Sequence, residues 1–178
     1  MTRADVALRA AGLVRFGAVA AVIGGGLRIV SSFVPYEAGS ATLETLYGVI
    51  DLCLLFGLLA VYVASAEVVG MFGLAMFLVA LAGVASIVGP DAQAFGIDFY
   101  RVGALVFVIG LAGLSVQLVR ARRMMASAAL WTATPVASLA SIALPQAFLA
   151  AGICIGAGYV AAGLSLLRER RVLALIPA

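Results

Sequence analysis

Residues 43–88 read LETLYGVIDLCLLFGLLAVYVASAEVVGMFGLAMFLVALAGVASIV. Three charged residues occur in this stretch, Glu44, Asp51 and Glu67, and its polar interruption is Ser65-Ala66-Glu67. A helix crosses ~30 Å of hydrocarbon with about 20 residues. The stretch therefore predicts two successive crossings, 43–64 and 68–88, joined by a turn at 65–67. No soluble fold has a use for so long an apolar run, because its greasy surface would exceed what a monomer tolerates in water.

The same measure applied outward predicts four more crossings. The first covers 8–34. The fourth covers 99–119, after the turn-prone segment that begins Gly89-Pro90-Asp91, and it is closed by Arg120, Arg122 and Arg123. A fifth, 124–144, is diluted by Ser127, Thr132, Thr134, Ser138 and Ser141 and carries Pro135 mid-span. Membrane helices tolerate such a proline when neighbours satisfy the freed carbonyl. Pro145 marks a turn, and 146–167 makes the sixth. The expected fold is an all-α, polytopic transmembrane bundle of about six helices, with residues 1–178 forming a single transmembrane domain.

Composition agrees with that class. Hydrophobic residues make up 65% of the 178 positions and charged residues 11%, against ~45–50% and ~25% in ordinary globular chains. The first apolar run continues to Val34, well beyond the ~7–15-residue core of a cleaved signal peptide, and reads as a retained helix. Cys53 and Cys154 lie mid-span and are expected to be small buried hydrophobes, not a disulfide framework.

Charge placement orients the bundle. The net charge of +3 comes from arginine alone, since the chain has no lysine. With six crossings, Arg3, Arg9, Arg120, Arg122, Arg123, Arg168, Arg170 and Arg171 fall on one side. Glu37, Glu44, Asp91 and Asp98 fall on the other, with Arg101 beside them. Positive residues at helix ends mark the cytoplasmic face, so both termini are expected there. The protein is expected to be integral to a membrane, the bacterial inner membrane.

Membrane helices associate through close packing of small residues and a few polar contacts. Gly17, Gly24 and Gly25 share a face of the first helix with Arg28, Ser31 and Ser32, and Gly152 and Gly156 lie four apart on the last. These five glycines are the expected packing positions, with Gly70 and Gly73 as a weaker pair on the third helix. Arg15-x-Gly17-Ala18-x-x-x-Val22-Ile23-Gly24 also recurs, 86 residues later, as Arg101-x-Gly103-Ala104-x-x-x-Val108-Ile109-Gly110. The two copies would start on opposite sides of the membrane, as in the inverted repeats of transporters.

An ionisable residue within a span costs roughly 2.5–3.5 kcal/mol on insertion scales and marks a candidate site. Arg28 and Asp51 fall at nearly one depth on neighbouring helices, which predicts a salt bridge. Glu44, Tyr47 and Asp51 share a face, and Asp98 and Arg101 share another. Together Arg28, Glu44, Tyr47, Asp51, Asp98 and Arg101 form the candidate intramembrane polar cluster.

Absences exclude chemistry. Without histidine there is no bis-histidine haem, no histidine-bound zinc and no Ser-His-Asp triad. Without lysine there is no Schiff base and no phosphate-loop lysine. No catalytic residue, cofactor or metal is expected, and the short juxtamembrane arginine groups suit lipid headgroups without nucleic acid. The expected role is non-catalytic: a subunit or scaffold of a larger membrane complex, with membrane lipids and a membrane-protein partner or a second copy as neighbours. The alternative is a carrier for a small solute or lipid near the outer leaflet, which needs a cavity of ~300 Å³ or more reaching Asp51.

Overall fold

The computed structural model describes residues 3–35, 37, 40–88, 93–94, 97–144 and 146–173. Its helices are α1 (Arg3–Ser31), α2 (Ala41–Ile87), α3 (Phe99–Arg120), α4 (Met125–Ala140) and α5 (Ala147–Leu173). A short antiparallel pair, β1 (Gln93–Ala94) and β2 (Ile97–Asp98), precedes α3. The described residues are thus all-α apart from this antiparallel pair. Four of the five helices are long and apolar enough to cross a membrane: α1 over Ala10–Ser31, α2, α3, and α5 over Ala147–Glu169.

Helix α2 is 47 residues long, about 70 Å if straight and more than twice the hydrocarbon thickness. It is not straight. Gly70 breaks it, with φ 61° and ψ −168°, a conformation foreign to helices and open essentially to glycine alone. Across the break the rings of Tyr62 and Phe77 stack with centroids 4.1 Å apart. On one straight helix these residues would lie about 22 Å apart. The chain therefore reverses at Gly70, and α2 consists of two antiparallel arms, 41–69 and 71–87.

The reversal lies beyond 65–67, where the polar residues predict it. Ser65 stays helical because its hydroxyl donates to the Val61 carbonyl one turn back, which satisfies it inside the bundle. Glu67 remains helical on the exposed side. Gly70, expected to pack beside Gly73, instead supplies the turn.

Glycines set how the elements meet. A methyl at Gly17 would lie 2.5 Å from Ala60 Cβ and the Phe56 carbonyl, and one at Gly24 would lie 2.6 Å from Cys53 Cβ. Residue numbers that rise along α1 as they fall along 41–69 make these two helices antiparallel. Gly25 abuts the Gly156 carbonyl, Gly152 abuts Ser32, and Gly163 meets Ala18, so α1 and α5 are antiparallel too. The arm 71–87 lies against α3 through Gly83 on Phe107, Ala80 on Gly110 and Met76 on Gly113. Helix α4 packs on α5, where Trp131 covers Gly158, and on α3. The start of α1 and the end of α5 consequently share one end of the bundle with the Gly70 turn and the α3–α4 connection.

The two copies of the Arg-x-Gly-Ala motif do not occupy equivalent positions. Gly17 and Gly24 face the helix that follows theirs, whereas Gly103 and Gly110 face the arm that precedes theirs. The shared spacing meets one packing need against two different neighbours.

The interior is closed by Leu54, Leu58 and Val61 of α2, Leu111, Leu114 and Leu118 of α3, Trp131 of α4 and Tyr159 of α5. Tyr159 sits at the centre, with the Trp131 ring 5.0 Å away edge-on and Phe107 at 6.4 Å. The outside is as apolar as the inside: Phe16, Leu105, Val136 and Ile142 all point outward. Helices that are hydrophobic all round are the form a lipid solvent demands. Cys53 and Cys154 are free, half-buried thiols.

Candidate functional site

The six residues of the expected polar cluster do not form one group. Arg28, in the last turn of α1, and Asp51, ten residues into α2, face a single small cavity. Its wall is completed by Leu54 and Ile87 of α2, Tyr100, Ala104, Phe107 and Val108 of α3, and Ile155 of α5. The antiparallel register of α1 and 41–69 brings Arg28 and Asp51 to one level, near the end that holds the 32–40 connection and the β1–β2 hairpin.

The expected salt bridge between them is not made. Arg28 is near enough for its charge to act on Asp51, but the ion pairs among the described residues are Arg101–Asp98 and Arg123–Glu169. Both groups line the cavity without an ion pair between them. Asp51 is buried, 7% exposed, and among the described residues no donor lies within hydrogen-bonding distance of its carboxylate. Tyr159, wholly buried and within electrostatic reach of Asp51, also has a hydroxyl without a hydrogen-bond partner among the described residues.

Tyr47 is tied elsewhere: its hydroxyl donates to the Ser31 carbonyl at 3.4 Å, fastening 41–69 to the end of α1. Ser31 and Ser32 both donate their hydroxyls to the Arg28 carbonyl, at 3.0 and 2.9 Å, which closes the last turn of α1. Glu44 is half-exposed in the first turn of α2, where a carboxylate suits the helix dipole.

Asp98 and Arg101 belong to the surface. One Asp98 oxygen accepts the Arg101 backbone N–H at 3.0 Å and caps α3, while the other pairs with Arg101 Nε at 3.0 Å. The Arg101 side chain is 86% exposed. Their shared face reflects helix capping, the ordinary use of aspartate one position before a helix. Sequence reasoning missed Tyr100 and Tyr159, and the available signal was weak, since an aromatic in an apolar helix looks like any other core residue.

A second hollow, of about 390 Å³ and open to the surface, lies at the other end between Phe72 and the last turns of α3 at Val116, Gln117 and Arg120. It is remote from the Arg28–Asp51 cavity. Among the described residues no three histidine, cysteine or carboxylate groups converge as metal ligands. No protein-family model, curated protein or solved structure matches the chain.

Proposed function

We propose that this protein is a non-catalytic subunit or scaffold of a larger membrane complex, crossing the bacterial inner membrane six times with both termini in the cytoplasm. The observation that carries the role is a contrast among the glycines. Thirteen of the seventeen described ones would press a methyl against another part of the chain, but nothing lies within 4 Å of a methyl built at Gly12, Gly26 or Gly48. The seventeenth is the turn at Gly70. Glycine in a helix costs about 1 kcal/mol relative to alanine, and a close-approaching partner helix is what recovers that cost in a membrane. Gly12 and Gly26 lie on the outward stripe of α1 with Phe16, Ile23 and Val30.

The six crossings rest on the two arms of α2 and on α4. The arm 71–87 and α4 are each about 25 Å long, a shortfall that local thinning and snorkelling accommodate. Hydrogen-bonded turns prolong α4 to Leu144. The cytoplasmic assignment rests on the end that gathers Arg120, Arg122, Arg123 and Arg168. A carrier finds less support, because the cavity at Asp51 is only about 40 Å³, room for water but not for a solute.

Purification of the full chain in lipid nanodiscs, wild type beside Gly26→Leu, tests the role. A stoichiometric membrane-protein partner or second copy retained by the wild type and lost from a folded Gly26→Leu is the expected result. A wild-type protein that is always solitary contradicts it.

A further inference from the structure

We propose that the cavity between Arg28 and Asp51 is a binding site for water, and that bound water joins the two as a bridged ion pair. Three features converge there. A buried carboxylate has no protein donor among the described residues, a guanidinium on the neighbouring helix has no ion-pair partner among them, and both line one cavity of about 40 Å³. A buried charge left without a partner costs several kcal/mol. A water site needs roughly 10–15 Å³ and two to four polar contacts, and this cavity supplies the volume and both polar walls.

The guest must accept from Arg28 and donate to Asp51 within that volume. Water does both. A bare cation would meet repulsion from Arg28, and an anion from Asp51. Of the remaining described wall residues, Leu54, Ile87, Ala104, Phe107, Val108 and Ile155 are apolar, and Tyr100 adds a phenol. Bridged pairs are enthalpically nearly as good as direct ones. This pair fixes the register of α1 against 41–69 without the tight side-chain contact that the sequence predicts.

The test is a structure of the full chain in nanodiscs at a resolution that shows ordered water, paired with a cavity-filling variant. Density for water within hydrogen-bonding distance of both Arg28 and Asp51 is expected. A direct Arg28–Asp51 contact, an empty cavity, or density too large for water overturns the proposal. Ala104→Val should expel the water and lower Tm by about 2–4 °C, the shift that roughly 1 kcal/mol produces in a chain of this size. In an Arg28→Met/Asp51→Leu background, where no water is needed, the same substitution should leave Tm unchanged or raise it. A gain in the wild type, or an equal loss in both backgrounds, contradicts the proposal.

Discussion

Tyr62 and Phe77 stack nearly parallel, 13° between ring planes with centroids 4.1 Å apart, although fifteen positions separate them in the sequence. The contact exists because Gly70 turns the chain back. Gly70→Ala meets no steric obstacle, since nothing lies within 4 Å of the added methyl, but it places a side chain in a backbone region that costs of order 1–3 kcal/mol. Thermal unfolding in detergent should show that loss, and Tyr62→Ala should add to it by releasing the arms. An unchanged Tm for Gly70→Ala would mean that the reversal lies elsewhere.

Adjacent glycines on α1 should behave in opposite ways. A methyl at Gly25 collides with the Gly156 carbonyl and comes within 2.9 Å of the Val160 nitrogen, while one at Gly26 meets nothing. Gly25→Ala should destabilise by about 1–3 kcal/mol through overpacking of a backbone contact. In the isolated chain, Gly26→Ala should be neutral or stabilising by up to about 1 kcal/mol from helix propensity. Unfolding by titration with a denaturing detergent measures both.

Trp131 is the one tryptophan of the chain and is fully buried, with its indole N–H donating to the Ile155 carbonyl at 3.4 Å. Its fluorescence should be blue-shifted and inaccessible to iodide in the folded protein. Trp131→Ala should lose stability toward the lower end of the ~3–5 kcal/mol of large-to-small core changes, because the flanking lipid removes the water-transfer part of that cost. Strong iodide quenching would show that α4 does not pack on α5 as described.

At the start of α3, Asp98→Ala removes a helix cap and should cost about 1 kcal/mol. Arg101→Ala, which breaks an exposed pair, should stay within ~0–1 kcal/mol. A loss of several kcal/mol from Arg101→Ala, read by the same unfolding titration, would instead place it in a buried cluster.

The all-helical membrane class was legible from 43–88 and its neighbours, because lipid demands apolar length and little else. Turn positions were less so. Ser65 and Glu67 look like a break, yet a serine can satisfy itself within its own helix, and the break falls at Gly70, whose backbone angle no periodicity reveals. Helix length alone brings Arg28 and Asp51 to one level, and both line one cavity. Whether they touch depends on Phe107, Tyr100 and Ile155, which arrive from α3 and α5, and one helix pair carries no trace of that. Asp98 and Arg101 were drawn into the cluster because spacing of three serves both a buried pair and a helix cap.

The most direct measurement is the sidedness of the Gly70 turn. In a Cys53→Ser/Cys154→Ser background, Glu67→Cys, Arg122→Cys and Thr42→Cys are labelled with a membrane-impermeant maleimide in right-side-out and inverted vesicles. Glu67→Cys and Arg122→Cys should react only from the cytoplasmic side and Thr42→Cys only from outside, as six crossings require. Reaction of Glu67→Cys from the same side as Thr42→Cys, or protection of Glu67→Cys from both sides, would contradict a chain that turns back at the cytoplasmic face after its second crossing.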